Sequence, residues 1–219
     1  MAEINLMDLY PRSKRPIDER AKVTTDYHRS IARRFDKDFF DGDRLFGYGG
    51  YSYHPRFWKE TVKRFCSHYQ LKTNASILDI GCGKGFMLHD FKNLMPDATI
   101  AGIDISSYAI ENSMGDVRLF LQVGNANALP YRDHFFDLVI SINTIHNLPL
   151  DECKQALKEI MRVSKKHAFI TVDAWRNEQE RIRMLDWNLT ALTYMHIDDW
   201  NILFASVGYD GDYYWFIAE

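Results

Sequence analysis

Three glycines alternate through Ile80-Gly81-Cys82-Gly83-Lys84-Gly85-Phe86, directly after the apolar run Ser76 to Ile80. Glycine at such positions tolerates positive φ and lets the main chain approach a ligand to contact distance, which a Cβ would hinder. The dinucleotide fingerprint GxGxxG would need glycine at 86, where Phe86 stands, and the phosphate loop GxxxxGK[ST] is absent. Asp79, just ahead of the loop, would repel a pyrophosphate but can pair with an amino group. The spacing therefore points to a cofactor without phosphates. One strand later, Gly102-Ile103-Asp104-Ile105 ends on a carboxylate suited to ribose hydroxyls. A strand further on, Gly124-Asn125-Ala126 places an amide where an adenine amino group could be read, and Ala126 leaves room for the ring.

Ser141-Ile142-Asn143-Thr144-Ile145-His146-Asn147 follows the fourth apolar run, where α/β sheets bind ligands beyond the carboxyl ends of their strands. Asn143 can orient a cofactor or acceptor there. For His146 two readings stand side by side: a general base with an ordinary pKa near neutrality, or a ring hydrogen-bonded to the loop backbone. Upstream, Phe46-Gly47-Tyr48-Gly49-Gly50-Tyr51-Ser52-Tyr53-His54-Pro55-Arg56 combines a mobile backbone with rigid amphipathic rings. It reads as a lid, with Tyr48, Tyr51 and Tyr53 over the site and His54 or Arg56 available to a carboxylate. Arg12, Lys14, Arg15, Arg20, Lys22, Arg29, Arg33 and Arg34 could meet an anionic substrate, but Asp18, Glu19, Asp26, Asp36 and Asp38 are interspersed, which favours a solvated face. Trp175, Arg176 and Trp187 are candidates for the acceptor side, packing being the alternative for each tryptophan. Cys82 reads as a small packing residue and Lys84 as a solvated one.

These groups need a scaffold. Strands are expected at 76–80, 99–103, 119–123, 136–142 and 167–172, and helices at 86–94, 106–114 and 150–163, a βαβ alternation that implies a parallel sheet. Before it, residues 1–22 read as an irregular arm, 25–40 as one helix and 57–69 as another. After it, a helix opens at Asp198 and stops near Gly208, and 208–217 reads as a closing strand with a turn at Asp210-Gly211. Residues 1–60 are thus assigned to an arm and cap, and 61–219 to the core. The chain of 219 residues is 46% hydrophobic and 26% charged, which suits a single globular domain. Its net charge of −3 argues against gripping nucleic acid or an anionic membrane over the whole surface. Three cysteines without a CxxC suggest neither a disulfide framework nor zinc, and no uncharged apolar run approaches the ~20 residues of a membrane span. A cytoplasmic protein is expected, with a homo-oligomer left open.

With these motifs in order, residues 70–175 resemble the class I S-adenosylmethionine-dependent methyltransferases. DIGCGKG is similar to their first motif, GIDIS to the second, and GNANALPYRDHFFDLVIS to the adenine-binding loop and next strand. The resemblance implies a Rossmann-like α/β sheet flanked by helices, with S-adenosyl-L-methionine as cofactor. It places Asp79, Gly81, Cys82 and Gly83 around the methionine part, Asp104 at the ribose, Ile105 and Ala126 at the adenine, Asn125 at its amino group, and Ser141 nearby. Asn125 departs from the Asp of many relatives, though either side chain accepts from an amine. Relatives that methylate catechols carry acidic metal ligands after strand four; Asn143 stands there, so no metal is expected. The NPP[YF] mark of base methylation is also absent. The implied activity is methyl transfer to an O or N atom of a small polar metabolite, acidic or sugar-like, of a bacterial biosynthetic pathway. The competing readings are an inactive cofactor-binding sensor and NAD-linked redox chemistry.

Overall fold

The computed structural model describes residues 1–11 and 17–218; Arg12, Lys14, Arg15 and Pro16 of the basic arm lie outside them. Five strands, β1 (Ser76–Ile80), β2 (Thr99–Asp104), β3 (Leu121–Val123), β4 (Phe136–Ile142) and β5 (Ser164–Trp175), form a sheet in the order β3-β2-β1-β4-β5. Every ladder among them is parallel. Alternation along each strand feeds two cores. Leu78, Ile80, Val139 and Ile170 turn to one face and Ile77, Leu138, Ile140 and Phe169 to the other, as the pleat requires. The helices α5 (Phe86–Leu94), α6 (Ser107–Glu111) and α7 (Leu150–Val163) cover these faces. α7 buries Cys153, Ala156, Leu157, Ile160 and Val163 and leaves its charged face to water.

Strand order reverses between β1 and β4, which makes their carboxyl ends the expected ligand site of such a sheet. The third strand is shorter than its apolar run. Val117 and Leu121, four residues apart, both turn inward while Leu119 between them is 93% exposed, so residues 118–120 close a 3-10 turn before the strand starts.

After β5 the chain forms α8 (Glu178–Trp187), β6 (Met195–His196), α9 (Ile197–Val207) and β7 (Asp212–Phe216). The family that the sequence resembles commonly ends in an antiparallel pair; here both β6 and β7 pair with β5 in parallel. The cause is the α9 crossover, which returns the chain to the same end of the sheet; Asp210-Gly211 leads into β7 rather than turning a hairpin. The start of the arm is also more ordered than its composition suggests. Ile4 N donates to Tyr213 O (2.9 Å) and Tyr213 N to Ala2 O (3.0 Å), so residues 2–4 line the outer edge of β7, and Leu6 and Met7 are buried beneath.

The expected long helix of the cap is broken. α2 (Asp26–Ala32) and α3 (Lys37–Asp41) are separate, because Phe35 adopts φ +50° and the Asp36 side chain accepts from Lys37 N (2.7 Å), ending one helix and starting the next; before them α1 (Ile17–Val23) is helical in place of the expected irregular arm. α4 (Pro55–His68) starts with proline in its first turn and packs on α5; its Phe65 meets Phe169 edge to face at 5.1 Å.

Candidate active site

The glycine loop leaves β1 with Gly81, Gly83 and Gly85 at φ +81°, +53° and +78°. A Cβ on Gly81 would fall 2.0 Å from Thr144 Oγ1, and one on Gly85 2.9 Å from Val117 and Leu121 side chains, so neither position admits another residue without displacing its neighbours. Asp104 secures the turn: one carboxylate oxygen accepts from Gly83 N and the other from Ser106 N, each at 2.8 Å. Burial raises the Asp104 pKa against the pull of these two N–H groups. Burial, with the Asp104 charge added, pushes Asp79 up to about 8. No hydrogen bond or ion pair holds the Asp79 carboxyl among the described residues.

Over the loop lies a cavity of about 240 Å³. Of the residues expected at a cofactor, Gly81, Gly83, Asp104, Ile105, Asn125 and Ala126 line it, joined by Asn143. Ile105 is 55% exposed, an apolar face open to a ring. Three others stand apart. The Cys82 thiol is buried against Gly102 in the core beneath, Ser141 is fully buried inside β4, and Asp79 lies just under the loop rather than on the wall.

The cap covers this cavity with Phe39, Phe40, Tyr48 and Tyr51. Tyr51 stacks on Tyr48 at 4.4 Å and on Phe86 at 4.8 Å, and its Cε1 is the atom that a Cβ on Gly83 would meet. Lys84, read from sequence as solvated, is in fact buried. Its ammonium donates to Asp41 (2.6 Å) and to Tyr51 O (2.9 Å), while Asp41 also accepts from Tyr108 Oη (2.7 Å) and Tyr51 N (2.9 Å). Although desolvation would raise it, these donors hold the Asp41 pKa below the usual carboxylate value. The glycine loop and the cap are thus tied by one ion pair. Of the remaining lid and substrate candidates, His54 and Trp187 line a second cavity described below, and three point elsewhere. Tyr53 donates to Asp90 on α5 (2.8 Å), Arg56 lies over Phe57, and Trp175 packs against Tyr194. None of the three lines either cavity.

A second cavity, about 470 Å³, adjoins the first and shares Phe39, Tyr48, Tyr51, Asn143 and Asn147 with it. Asn143 sits at φ +51°, a conformation costing about 1–3 kcal/mol outside glycine. Thr171 holds it there: Asn143 N donates to Thr171 Oγ1 (2.9 Å), which donates to Asn143 Oδ1 (2.8 Å). His146 lines only the second cavity and is buried. Its Nδ1 accepts from Asp173 N at 2.9 Å, whereas the Asp173 carboxylate oxygen is farther, at 3.4 Å. The nearer contact sets the tautomer: Nδ1 is unprotonated and Nε2, with no partner among the described residues, carries the hydrogen. Burial lowers the ring's pKa despite the opposing Asp173 charge, so the ring is neutral near pH 7. At rest it offers a hydrogen-bond donor rather than a base.

Sequence reasoning missed Asp41, Phe39 and Phe40, whose roles arise from contacts across the fold. Asp173 was findable, since it stands at the carboxyl end of β5, where this sheet type places ligands.

Residues 78–172 match the family described as "Methyltransferase domain". Over 132 residues the chain is 35% identical to the tRNA (carboxymethyluridine(34)-5-O)-methyltransferase of Arabidopsis thaliana, covering 59% of this chain and 31% of that protein. Over 150 residues it is 31% identical to the demethylmenaquinone methyltransferase of Lactiplantibacillus plantarum, covering 65% of this chain and 61% of the relative. The chain thus spans less than two thirds of both. In fold it is similar to the YcgJ protein of Bacillus subtilis, with a TM-score of 0.54, 17% identity and coverage of 67% of this chain and 66% of that one. No helix among the described residues is long and apolar enough to cross a membrane. Residues 78–172 are thus similar to a methyltransferase domain, on a mostly parallel, Rossmann-like sheet flanked by helices.

Proposed function

We propose that this chain transfers a methyl group from S-adenosylmethionine to an O or N atom of a small polar acceptor seated between cap and sheet. The observation that carries the reading is the pair of adjoining cavities, one over the glycine loop and one reaching His146, separated by the shared Tyr48, Tyr51, Asn143 and Asn147. The residues present fit the cofactor: Asp79 is a buried carboxyl lacking a counter-charge, and an ammonium would relieve it. Asp104 would hold the ribose, Ile105 and Ala126 the adenine faces, and Asn125 the exocyclic amine. The bound cofactor supplies an electrophilic methyl on a sulfonium.

The chain's own part is largely positional, since in-line displacement needs alignment and exclusion of water more than reactive side chains. Tyr48 and Tyr51 shield the junction and present ring faces attractive to a cation. Asn143, fixed by Thr171, would orient the acceptor, and His146 would hold its nucleophilic atom through Nε2–H. A base role for His146 requires the ring to give up its bond from Asp173 N first. Calorimetry with S-adenosylhomocysteine, followed by methyl transfer from labelled S-adenosylmethionine to a metabolite extract, tests the reading. Micromolar binding with a labelled small product supports it; binding without turnover on any acceptor would return the sensor reading.

A further inference from the structure

The second cavity carries two arginines that the methyl-transfer chemistry leaves unused. Arg20 of α1 and Arg44 of the cap both line it, and the Arg20 guanidinium lies 4.6 Å over the Trp187 ring. Arg20 Nε is buried with no hydrogen-bond partner among the described residues, a loss of free energy that a bound acceptor oxygen would recover. Burial first, then the charges of Arg44 and Arg29, push the Arg20 pKa down to about 10, as for a cation taken out of water beside two others. Arg29 is committed to Asn188 O and the Asp26 carboxylate, while Arg44 Nη1 donates to Gly47 O and Tyr48 O. Among the described residues the carboxylate on the cavity wall is Asp173, which sits beside His146. Much of the remaining wall is flat and aromatic, including Tyr10, Phe39, Trp58 and Trp187. Neither Arg20 nor Arg44 lines the glycine-loop cavity, where Arg33 stands instead, so the pair is not placed for the cofactor's own carboxylate.

Resting on the function proposed above, we infer that the acceptor is a planar organic acid whose acidic group is held by Arg20 and Arg44 against Trp187, its ring lying along the aromatic wall. Guanidinium forks match carboxylate oxygens two at a time, and the anion would satisfy the Arg20 Nε–H that the described residues leave unpaired.

The test titrates 2-naphthoate, and separately its neutral isostere 2-naphthamide, into protein saturated with S-adenosylhomocysteine. The naphthoate should bind at least about tenfold more tightly, and Arg20→Gln or Arg44→Gln should bring the two probes close together. Arg20→Gln should keep its affinity for S-adenosylhomocysteine. Arg20→Lys, which keeps the charge and loses the fork, should melt like the parent and still bind naphthoate about tenfold more weakly, so a folding defect in the glutamine variant does not decide the matter. Equal binding of the two probes, no naphthoate binding, or a preference that survives Arg20→Gln would each overturn the assignment. So would a fall in S-adenosylhomocysteine affinity in folded Arg20→Gln, which would give the pair to the cofactor. Failure to bind S-adenosylhomocysteine at all would instead sink the proposed function, and the same two probes on the free protein would still score the anion site.

Discussion

The two adjoining cavities are built on opposite plans. The one over the glycine loop takes its walls largely from strand ends and the turns that follow them, with main chain shaped by glycine and secured by a carboxylate. The second collects side chains from Tyr10 to Phe216, from the arm, the cap, two strand ends and the far helix α8. A surface that every relative must present to one cofactor suits local, backbone-coded construction. A surface that must suit one acceptor is free to be assembled from whatever elements the fold brings near.

If that contrast is right, changes in the first cavity act on cofactor binding and stability together, and changes in the second act on acceptor chemistry alone. The largest effect belongs to Gly81→Val. Positive φ and the 2.0 Å approach to Thr144 combine there, and a loss on the order of 3 kcal/mol in stability with no detectable S-adenosylhomocysteine binding is expected from thermal melts and calorimetry. Asp79→Asn comes next: cofactor affinity should fall about 100-fold while the free protein gains stability at pH 8. The sign follows from the raised folded-state pKa. Protonated Asp79 favours the free fold fully below its ordinary value of 3.8, and that advantage is lost as pH rises toward about 8. An ammonium ligand prefers the ionised form, so affinity should climb from pH 6 to about 8 and level off, and a flat profile would contradict the pairing.

On the acceptor side, His146→Gln should lower turnover roughly tenfold with cofactor affinity intact, a split read by comparing kcat with the S-adenosylhomocysteine Kd. Because the ring's pKa is lowered, the parent at saturating S-adenosylmethionine, where the Asp79 effect on affinity is removed, should keep its kcat as pH falls from 8 to 7; a sharp decline in kcat there that His146→Gln abolishes would restore a titrating base. If His146→Gln weakened cofactor binding as much as turnover, the two cavities would not be separable. Smallest is Tyr53→Phe, which removes one hydrogen bond to Asp90 and should cost only about 0.5–1.5 kcal/mol in stability, with kinetics unchanged.

Legibility followed the same division. β1, β4, α5 and α7 were readable to the residue, because an apolar strand buried on both faces and an amphipathic helix each write their period into the chain. Gly81, Gly83, Asp104 and Asn125 were readable because the glycines encode backbone shape and the other two follow strands. The cap was not. Tyr48, Tyr51 and Tyr53 are alike in sequence, and which of them faces the cavity depends on Asp41 and Asp90, partners that no local pattern names. The basic residues of the arm looked solvated by charge counting, since composition cannot show that Arg20 meets Trp187 across more than 160 positions. β7 misled for another reason: Asp210-Gly211 is a turn signal in isolation, and only the α9 crossover decides which way the next strand runs.

The Lys84–Asp41 contact bears on the order of events in a catalytic cycle. Lys84 stands between two of the loop glycines, so the cap is fastened to the part of the sheet on which the cofactor would rest. Lifting the cap to exchange spent cofactor would separate an ion pair and strip Tyr51 of its carboxylate, whereas an acceptor entering beside Arg20 and Trp187 need not disturb either. Such a fastening favours an ordered cycle: donor first in and last out, with a residence time set by the latch and not by the methyl transfer itself.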